Sequence, residues 1–314
     1  GFSMKTRLDK SVCLQAALSA PKCYKVYSIP KRNGEMRIIA QPPPIVKDLQ
    51  RFALQLFDGK ILVHKAATAY DKGSSIVSNV NPHLRNNFIL KIDFNNFFNS
   101  IKPQDLDLLG LSKSIGFNNE EIYILKHLFF WLPKGTYRSC LSICAPYSPI
   151  LSNYLLFQID SQIYNYCSIN KIEYTRYADD ITLSTDTKFI LKDAYNYISE
   201  ICIKTESPSL VINQRKIIFT SKRHKRFITG LIISNDEKIS LGREMKRLIR
   251  SMLFNFINQR KTTIQSIEQL NGLLAFAAYI KPEYIVRLCT QFETHLPYLY
   301  NKGILLIKYA VKQH

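Results

Sequence analysis

The chain has few of the residues that would build a metal cage, a disulfide frame or a membrane span. Its seven cysteines, at 13, 23, 140, 144, 167, 202 and 289, are odd in number and scattered, and none forms a Cys-x-x-Cys pair. The six histidines do not cluster beside them. Neither a zinc site nor a disulfide framework is expected, and a reducing cytoplasmic compartment is the natural one. No apolar run approaches the roughly 18 residues a membrane helix needs, and no charged-then-apolar leader opens the chain. Gly1-Phe2-Ser3 ahead of Met4 reads as a cloning remnant and is set aside. Acidic residues are scarce as well. Only 24 Asp and Glu face 43 Lys and Arg, a net charge of +19. Solubility rarely needs so one-sided a balance, so a polyanionic partner is expected, nucleic acid before membrane.

What is present suits a folded enzyme. The 314 residues, 46% hydrophobic and 12% aromatic, suffice for one large or two modest domains with a real core. No internal repeat and no low-complexity linker is apparent. The first twenty residues read as a helix with Val12, Leu14, Ala17 and Leu18 on one face. Two β-like runs, 24–29 and 36–40, flank Lys31-Arg32-Asn33-Gly34, where Asn-Gly signals a hairpin. Helical spacing follows over 45–57 and again over 120–131. One long helix is expected over 148–166, and another around 188–203. Short strands are expected at 210–212 and 216–220. From Gly242 onward the pattern is helical, with Met245, Leu248, Ile249, Met252, Leu253 and Phe256 in one stripe. The best domain cut therefore lies near residue 240.

Tyr177-Ala178-Asp179-Asp180 carries the chemistry. It lies between two β-forming runs, 172–176 and 181–185, as the tip of a hairpin. Adjacent carboxylates repel each other and disfavour a packed core, a conflict that a divalent cation removes. A third carboxylate, Asp93, ends the apolar run Phe88-Ile89-Leu90-Lys91-Ile92 and is followed by Phe97-Phe98. An acid at the carboxyl end of a buried strand is a common catalytic placement. Three acids so arranged suit two-metal phosphoryl or nucleotidyl transfer, although Asp pairs also populate plain turns.

In these residues the chain resembles reverse transcriptases, and specifically the small bacterial retron type, from about Tyr24 to Thr290. The resemblance implies an α+β right-hand polymerase. Fingers and palm would occupy residues 1–239, with an antiparallel palm sheet packed on helices. A C-terminal helical thumb would occupy 240–314. It also implies that Asp93, Asp179 and Asp180 ligate two Mg²⁺ ions. Lys31 and Arg37, with Arg32 less well matched, would close over the triphosphate of an incoming dNTP. Phe98 would exclude a 2′-hydroxyl, although a lone Phe is more often core. Asn213-Gln214-Arg215-Lys216 resembles the family's Asn-x-x-Lys. Lys216 is then the general acid for pyrophosphate, or else a solvated charge.

Two near-matches point to retrons: Asn79-Val80-Asn81-Pro82-His83 and Phe227-Ile228-Thr229-Gly230-Leu231. They mark Asn79, His83, Thr229 and Gly230 as RNA contacts, with a loop-packing histidine as the alternative for His83. Basic residues Lys222, Arg223, Lys225 and Arg226 stand just before Thr229 and suit phosphate binding. Arg243, Lys246, Arg247 and Arg250 would follow the backbone of a template–primer duplex. One segment departs from the family. Where Pro-Gln-Gly is usual, the chain reads Ser142-Ile143-Cys144, so an amide that supports nucleotide positioning is missing.

The expected reaction is RNA-templated DNA synthesis on a cognate folded non-coding RNA, primed from a guanosine 2′-hydroxyl. It would yield a branched RNA–DNA hybrid (msDNA). An effector protein of an anti-phage defence system is the implied partner, and no membrane is. No length remains for an RNase H, maturase or endonuclease domain. Alternatives are another short defence-associated reverse transcriptase, an RNA-dependent RNA polymerase, which Phe98 would obstruct, and a largely structural nucleoprotein scaffold.

Overall fold

The structure, a computed structural model, describes residues 9–31, 34–71, 73–258 and 263–311; Arg32 lies outside the described residues. The chain divides into two compact units, Gly1–Ser75 with Asn86–Phe219, and Ile76–Arg85 with Thr220–His314. This division falls at 219/220, not near 240, because three short strands and the segment Ile76–Arg85 group with the C-terminal helices.

The first unit begins with α1 (Lys10–Ser19), capped by the Asp9 carboxylate. Val12, Leu14 and Leu18 on that helix are exposed, and only Ala17 is buried, so the expected apolar face remains open. The Asn-Gly segment joins β1 (Lys25–Pro30) to β2 (Met36–Gln41), which pair antiparallel with Ile29 opposite Arg37. Proline-started α2 (Pro44–Gln55) buries Val46, Leu49 and Ala53 at helical spacing.

A four-stranded sheet of order β4-β5-β3-β6 forms the centre of this unit, with β3 (Phe88–Asp93), β4 (Glu173–Tyr177), β5 (Asp180–Thr185) and β6 (Ile218–Ser221). Strand β3 buries Ile89, Leu90, Ile92 and Asp93, in keeping with its apolar run, and β5 buries its polar Thr182, Ser184 and Thr185 as well as Ile181 and Leu183. Helices α3 (Asn119–Phe129), α4 (Ser148–Leu155), α5 (Phe157–Ile169) and α6 (Ile190–Lys204) complete it, with α5 against β4 and α6 against β3 and β5.

The single helix expected over 148–166 breaks at Leu156 (φ −88°, ψ 2°), whose amide reaches back to Ser152 and Tyr154 carbonyls. No Pro or Gly marks that break. The strand expected at 210–212 is reduced to one bridge, Phe94 to Ile212.

The second unit holds a three-stranded antiparallel sheet, β7 (Arg226–Ile228), β8 (Leu231–Ile233) and β9 (Ile239–Ser240). Helices α7 (Gly242–Ile257), α8 (Ile264–Ile280) and α9 (Pro282–Gln291) follow. Ile249, Leu253 and Phe256 of the α7 stripe are buried with Leu270, Leu274, Ile285 and Leu288, whereas Leu248 is exposed.

Candidate active site

The β3–β5 register sets Asp93 directly opposite Asp180, and β4–β5 sets Tyr177 opposite Asp180. Ala178 and Asp179 are therefore the two-residue tip of a hairpin. Ala178 lies in the left-handed region at φ 59°. Such tips favour a glycine at their first central position, and an alanine there is strained by about 1–2 kcal/mol.

The carboxylates carry an electrostatic load to match. Burial, then the charge of Asp93, push the Asp179 pKa up, while Lys216 and Arg37 offset part of the shift. Burial and the adjacent Asp179 charge raise Asp180 to about 6.

Lys216 stands against this excess of negative charge. Asn213 begins the turn that carries it, and the Asn213 amide donates to the Asp93 carbonyl at 2.8 Å. The Lys216 ammonium then reaches both Asp93 carboxylate oxygens, at 3.0 and 2.9 Å, and Asn213 Nδ2 donates to one of them at 3.3 Å. The Asp93 hydrogen bonds raise the Lys216 pKa, and the Asp179 and Asp180 charges add to this against a burial penalty.

Phe98, one turn past Asp93, is half-buried with its ring 5.2 Å from that of Phe97. Arg37 is exposed on β2 and acts electrostatically on Asp179. Lys31 is held at the hairpin end by an ion pair with Glu35 at 2.9 Å.

Among the described residues, no three carboxylate, imidazole or thiolate groups converge closely enough to enclose an ion as they stand. The donor set nevertheless fits a divalent cation. Burial and mutual repulsion raise the pKa of two half-buried carboxyls, a load that a dication would relieve, and Asp93 already binds a cation, the Lys216 ammonium.

In the second unit the two signature segments meet. Strands β7 and β8 are joined by Thr229-Gly230, both at positive φ (43° and 90°), the turn type that fits a twisted two-residue hairpin. Glycine suits the second position. Thr229 is a strained choice for the first, and its hydroxyl accepts from Asn79 Nδ2 at 3.3 Å.

Asn79 and His83 have no exposed surface, and burial lowers the His83 pKa to about 3. Arg226 is buried too, with its guanidinium donating to the Ser234 carbonyl at 2.6 Å and the Leu84 carbonyl at 3.4 Å. These three side chains are internal, not open nucleic-acid contacts, and for His83 this is the loop-packing alternative that the sequence left open. A polar residue in a basic run looks the same either way until its distant partners are known.

Arg223 and Lys225 are exposed, and Lys222 is paired with Glu237 at 3.1 Å. On α7, Arg243, Arg247 and Arg250 are exposed and Lys246 is half-buried. Burial, then the charges of Lys281, Arg287 and Arg250, lower the Lys246 pKa. Lys281 and Arg287 therefore belong to the same basic face, although their separation in sequence hid them.

An antiparallel sheet on helices, with an Asp-Asp hairpin tip facing a strand-end Asp and a lysine, defines a palm-type nucleotidyl transferase. Residues 29–233 match the family described as reverse transcriptase (RNA-dependent DNA polymerase). The chain is 39% identical over 267 residues to the retron Ec83 reverse transcriptase of Escherichia coli, covering 84% of this chain and 85% of that one. It is 31% identical over 306 residues to the retron Ec86 reverse transcriptase of the same species, covering 97% and 91%. Its fold is also similar to a structure of telomerase from Candida tropicalis with a fragment of telomeric RNA. There the TM-score is 0.49 and the identity 12%, over 85% of this chain and 55% of that one.

The chain belongs to the reverse transcriptase family, in its bacterial retron-type branch. It is an α+β right-hand polymerase that makes DNA on an RNA template, and its family uses divalent metal ions. No helix among the described residues is long and apolar enough to cross a membrane.

Proposed function

We propose that Asp93, Asp179 and Asp180 hold two Mg²⁺ ions for the copying of a cognate folded non-coding RNA into a branched RNA–DNA hybrid. The observation that carries the site is the β3–β5 register, which sets Asp93 opposite Asp180 while Lys216 spans both Asp93 oxygens. When bound, such ions supply a lowered pKa at the attacking hydroxyl and charge neutralisation at the triphosphate.

The chain's own residues do the rest. Arg37 and Lys31 draw the triphosphate of a dNTP toward the hairpin, Arg37 as an exposed charge and Lys31 on leaving Glu35. Phe98 fills the space of a 2′-hydroxyl. Lys216, kept protonated by Asp93, is placed to give its proton to the departing pyrophosphate. Fingers and palm lie in the first unit, and the helices from Gly242 serve as thumb. Arg243, Lys246, Arg247 and Arg250 follow the duplex backbone there, with Arg223 and Lys225 contributing further phosphate contacts. Likeness to retron enzymes supports a cytoplasmic setting and an effector protein of a defence system as partner.

The test is the nucleic acid that co-purifies with the protein. Wild type carries a branched RNA–DNA species, and an Asp179→Asn/Asp180→Asn variant carries RNA alone. Identical nucleic acid from both would defeat catalysis by this pair.

A further inference from the structure

Beneath the hairpin tip lies a buried charged cluster that the proposed chemistry does not use. Arg176 on β4 is 1% exposed and Asp160 on α5 is fully buried. Arg176 Nε donates to Asp160 Oδ1 at 2.8 Å and Nη2 donates to Oδ2 at 2.6 Å, a two-point pairing. The Tyr174 hydroxyl donates to Asp160 Oδ1 at 2.6 Å. The remaining nitrogen, Arg176 Nη1, is divided between Asn153 Oδ1 at 3.1 Å and the Ala178 carbonyl at 2.9 Å. Asn153 in turn donates to the Ala69 carbonyl at 2.7 Å. The Arg176 backbone adds the Ala66–Thr68 segment to the β4 edge, through bonds of 2.7 and 2.8 Å.

A buried ion pair is weak evidence for stability, since apolar residues of similar volume often serve as well. What this pair supplies is direction. The Ala178 carbonyl belongs to the peptide plane that joins Ala178 to Asp179. A donor fixed on that oxygen therefore sets the backbone from which the Asp179 carboxylate projects. The hold matters because Ala178 sits in the left-handed region that an L residue leaves readily. The same cluster orders Ala69 and so the neighbouring Tyr70, itself at φ 67°, whose ring lies 6.4 Å from that of Tyr177.

We propose that Arg176, held by Asp160, Tyr174 and Asn153, is a positioning residue that aims the Asp179 carboxylate through the Ala178 carbonyl. This rests on the reading of Asp179 as catalytic. An Arg176→Lys variant keeps the charge beside Asp160 but loses the rigid fork that reaches Asp160 and the turn together. A paired Arg176→Gln/Asp160→Asn variant removes both charges and leaves none unpaired, should the single change fold poorly.

Three readouts are taken: melting temperature, single-turnover incorporation against dNTP concentration, and Mn²⁺ binding to the nucleotide-free protein from the spin-resonance signal of free Mn²⁺. The maximal rate is expected to fall by about tenfold or more, with dNTP affinity within about twofold and Mn²⁺ binding weakened several-fold. A lowered melting temperature with unchanged maximal rate and Mn²⁺ affinity would make the cluster a core pair only and overturn the proposal. Asp179→Asn is run alongside. If it retains full rate, the catalytic reading itself fails. If it is inactive while the Arg176 variants are unimpaired, only the positioning role fails.

Discussion

His83 offers a direct test of how the second unit is held together. It is fully buried, and burial moves its pKa from 6.5 in the open chain to about 3 in the folded one. The folded state therefore refuses a proton that the unfolded state accepts. The stability this group contributes is complete above about pH 6.5 and is lost as pH falls toward about 3. Each unit of pKa difference corresponds to about 1.4 kcal/mol, so the loss reaches about 2 kcal/mol near pH 5 and has a ceiling of about 5 kcal/mol. For a unit of about 100 residues, 2 kcal/mol lowers the melting temperature by roughly ten degrees. The single tryptophan, Trp131, lies in the first unit and reports on that unit alone. Amide hydrogen exchange across Gly242–Gln291, measured from pH 7 to pH 5, is the assay. Wild type is expected to lose protection as one extra proton is taken up on opening, and His83→Gln to lose that pH slope whatever its stability at pH 7. Equal slopes in the two proteins would refute the reasoning.

Two further outcomes follow from the first unit. The Asp180 pKa stands at about 6 against 3.8 unfolded, so this group's contribution to stability is full below about 3.8 and lost as pH rises through about 6. With metal chelated, Asp180→Asn should be more stable than wild type near pH 8, by up to about 2–3 kcal/mol, and no different near pH 4 in thermal melts; equal shifts at both would sink the claim. Phe98→Ala should raise ribonucleotide use relative to dNTP by about tenfold or more in primer extension, with dNTP turnover retained. An unchanged ratio would return Phe98 to the core.

The parts of the site that were legible in the sequence are those governed by local rules. A two-residue tip between β-forming runs gives a hairpin, and an acid ending an apolar strand gives the opposing carboxylate, so Asp93, Asp179 and Asp180 could be placed before the fold was known. Lys216 was marked only by the resemblance of Asn213-Gln214-Arg215-Lys216 to the family's Asn-x-x-Lys, because the Asp93 carboxylate it pairs with lies 123 positions earlier. Asn79 and Thr229 were not legible as partners, because they are 150 positions apart and each is satisfied by the other. Arg226 and Arg176 read as ordinary basic residues until the Leu84, Ser234 and Asp160 oxygens that hold them are in view. The break at Leu156 carries no Pro or Gly signal, and the open face of α1 looks like any amphipathic helix. Burial is a non-local property, and period alone does not show which side is covered.

The departure from the family at Ser142-Ile143-Cys144 can now be divided into two effects. Ser142 is buried, and its hydroxyl donates to the Ala40 carbonyl on β2, the strand that carries Arg37. The Cys144 amide then donates to the Ser142 hydroxyl oxygen at 3.3 Å. The loop is thus anchored by hydrogen bonds where the usual proline would supply stiffness through its ring. That part of the change preserves the backbone. Ile143 is different: it is half-buried and apolar, and it cannot replace the hydrogen bonds of the usual glutamine. Cys144 is exposed, so the side chain added where glycine is usual points to solvent and not into the core. In the proposed reaction, then, nucleotide placement depends less on an amide from this loop. It depends more on the Arg37 and Lys31 charges, the Phe98 ring and an Asp179 carboxylate whose backbone is held from below.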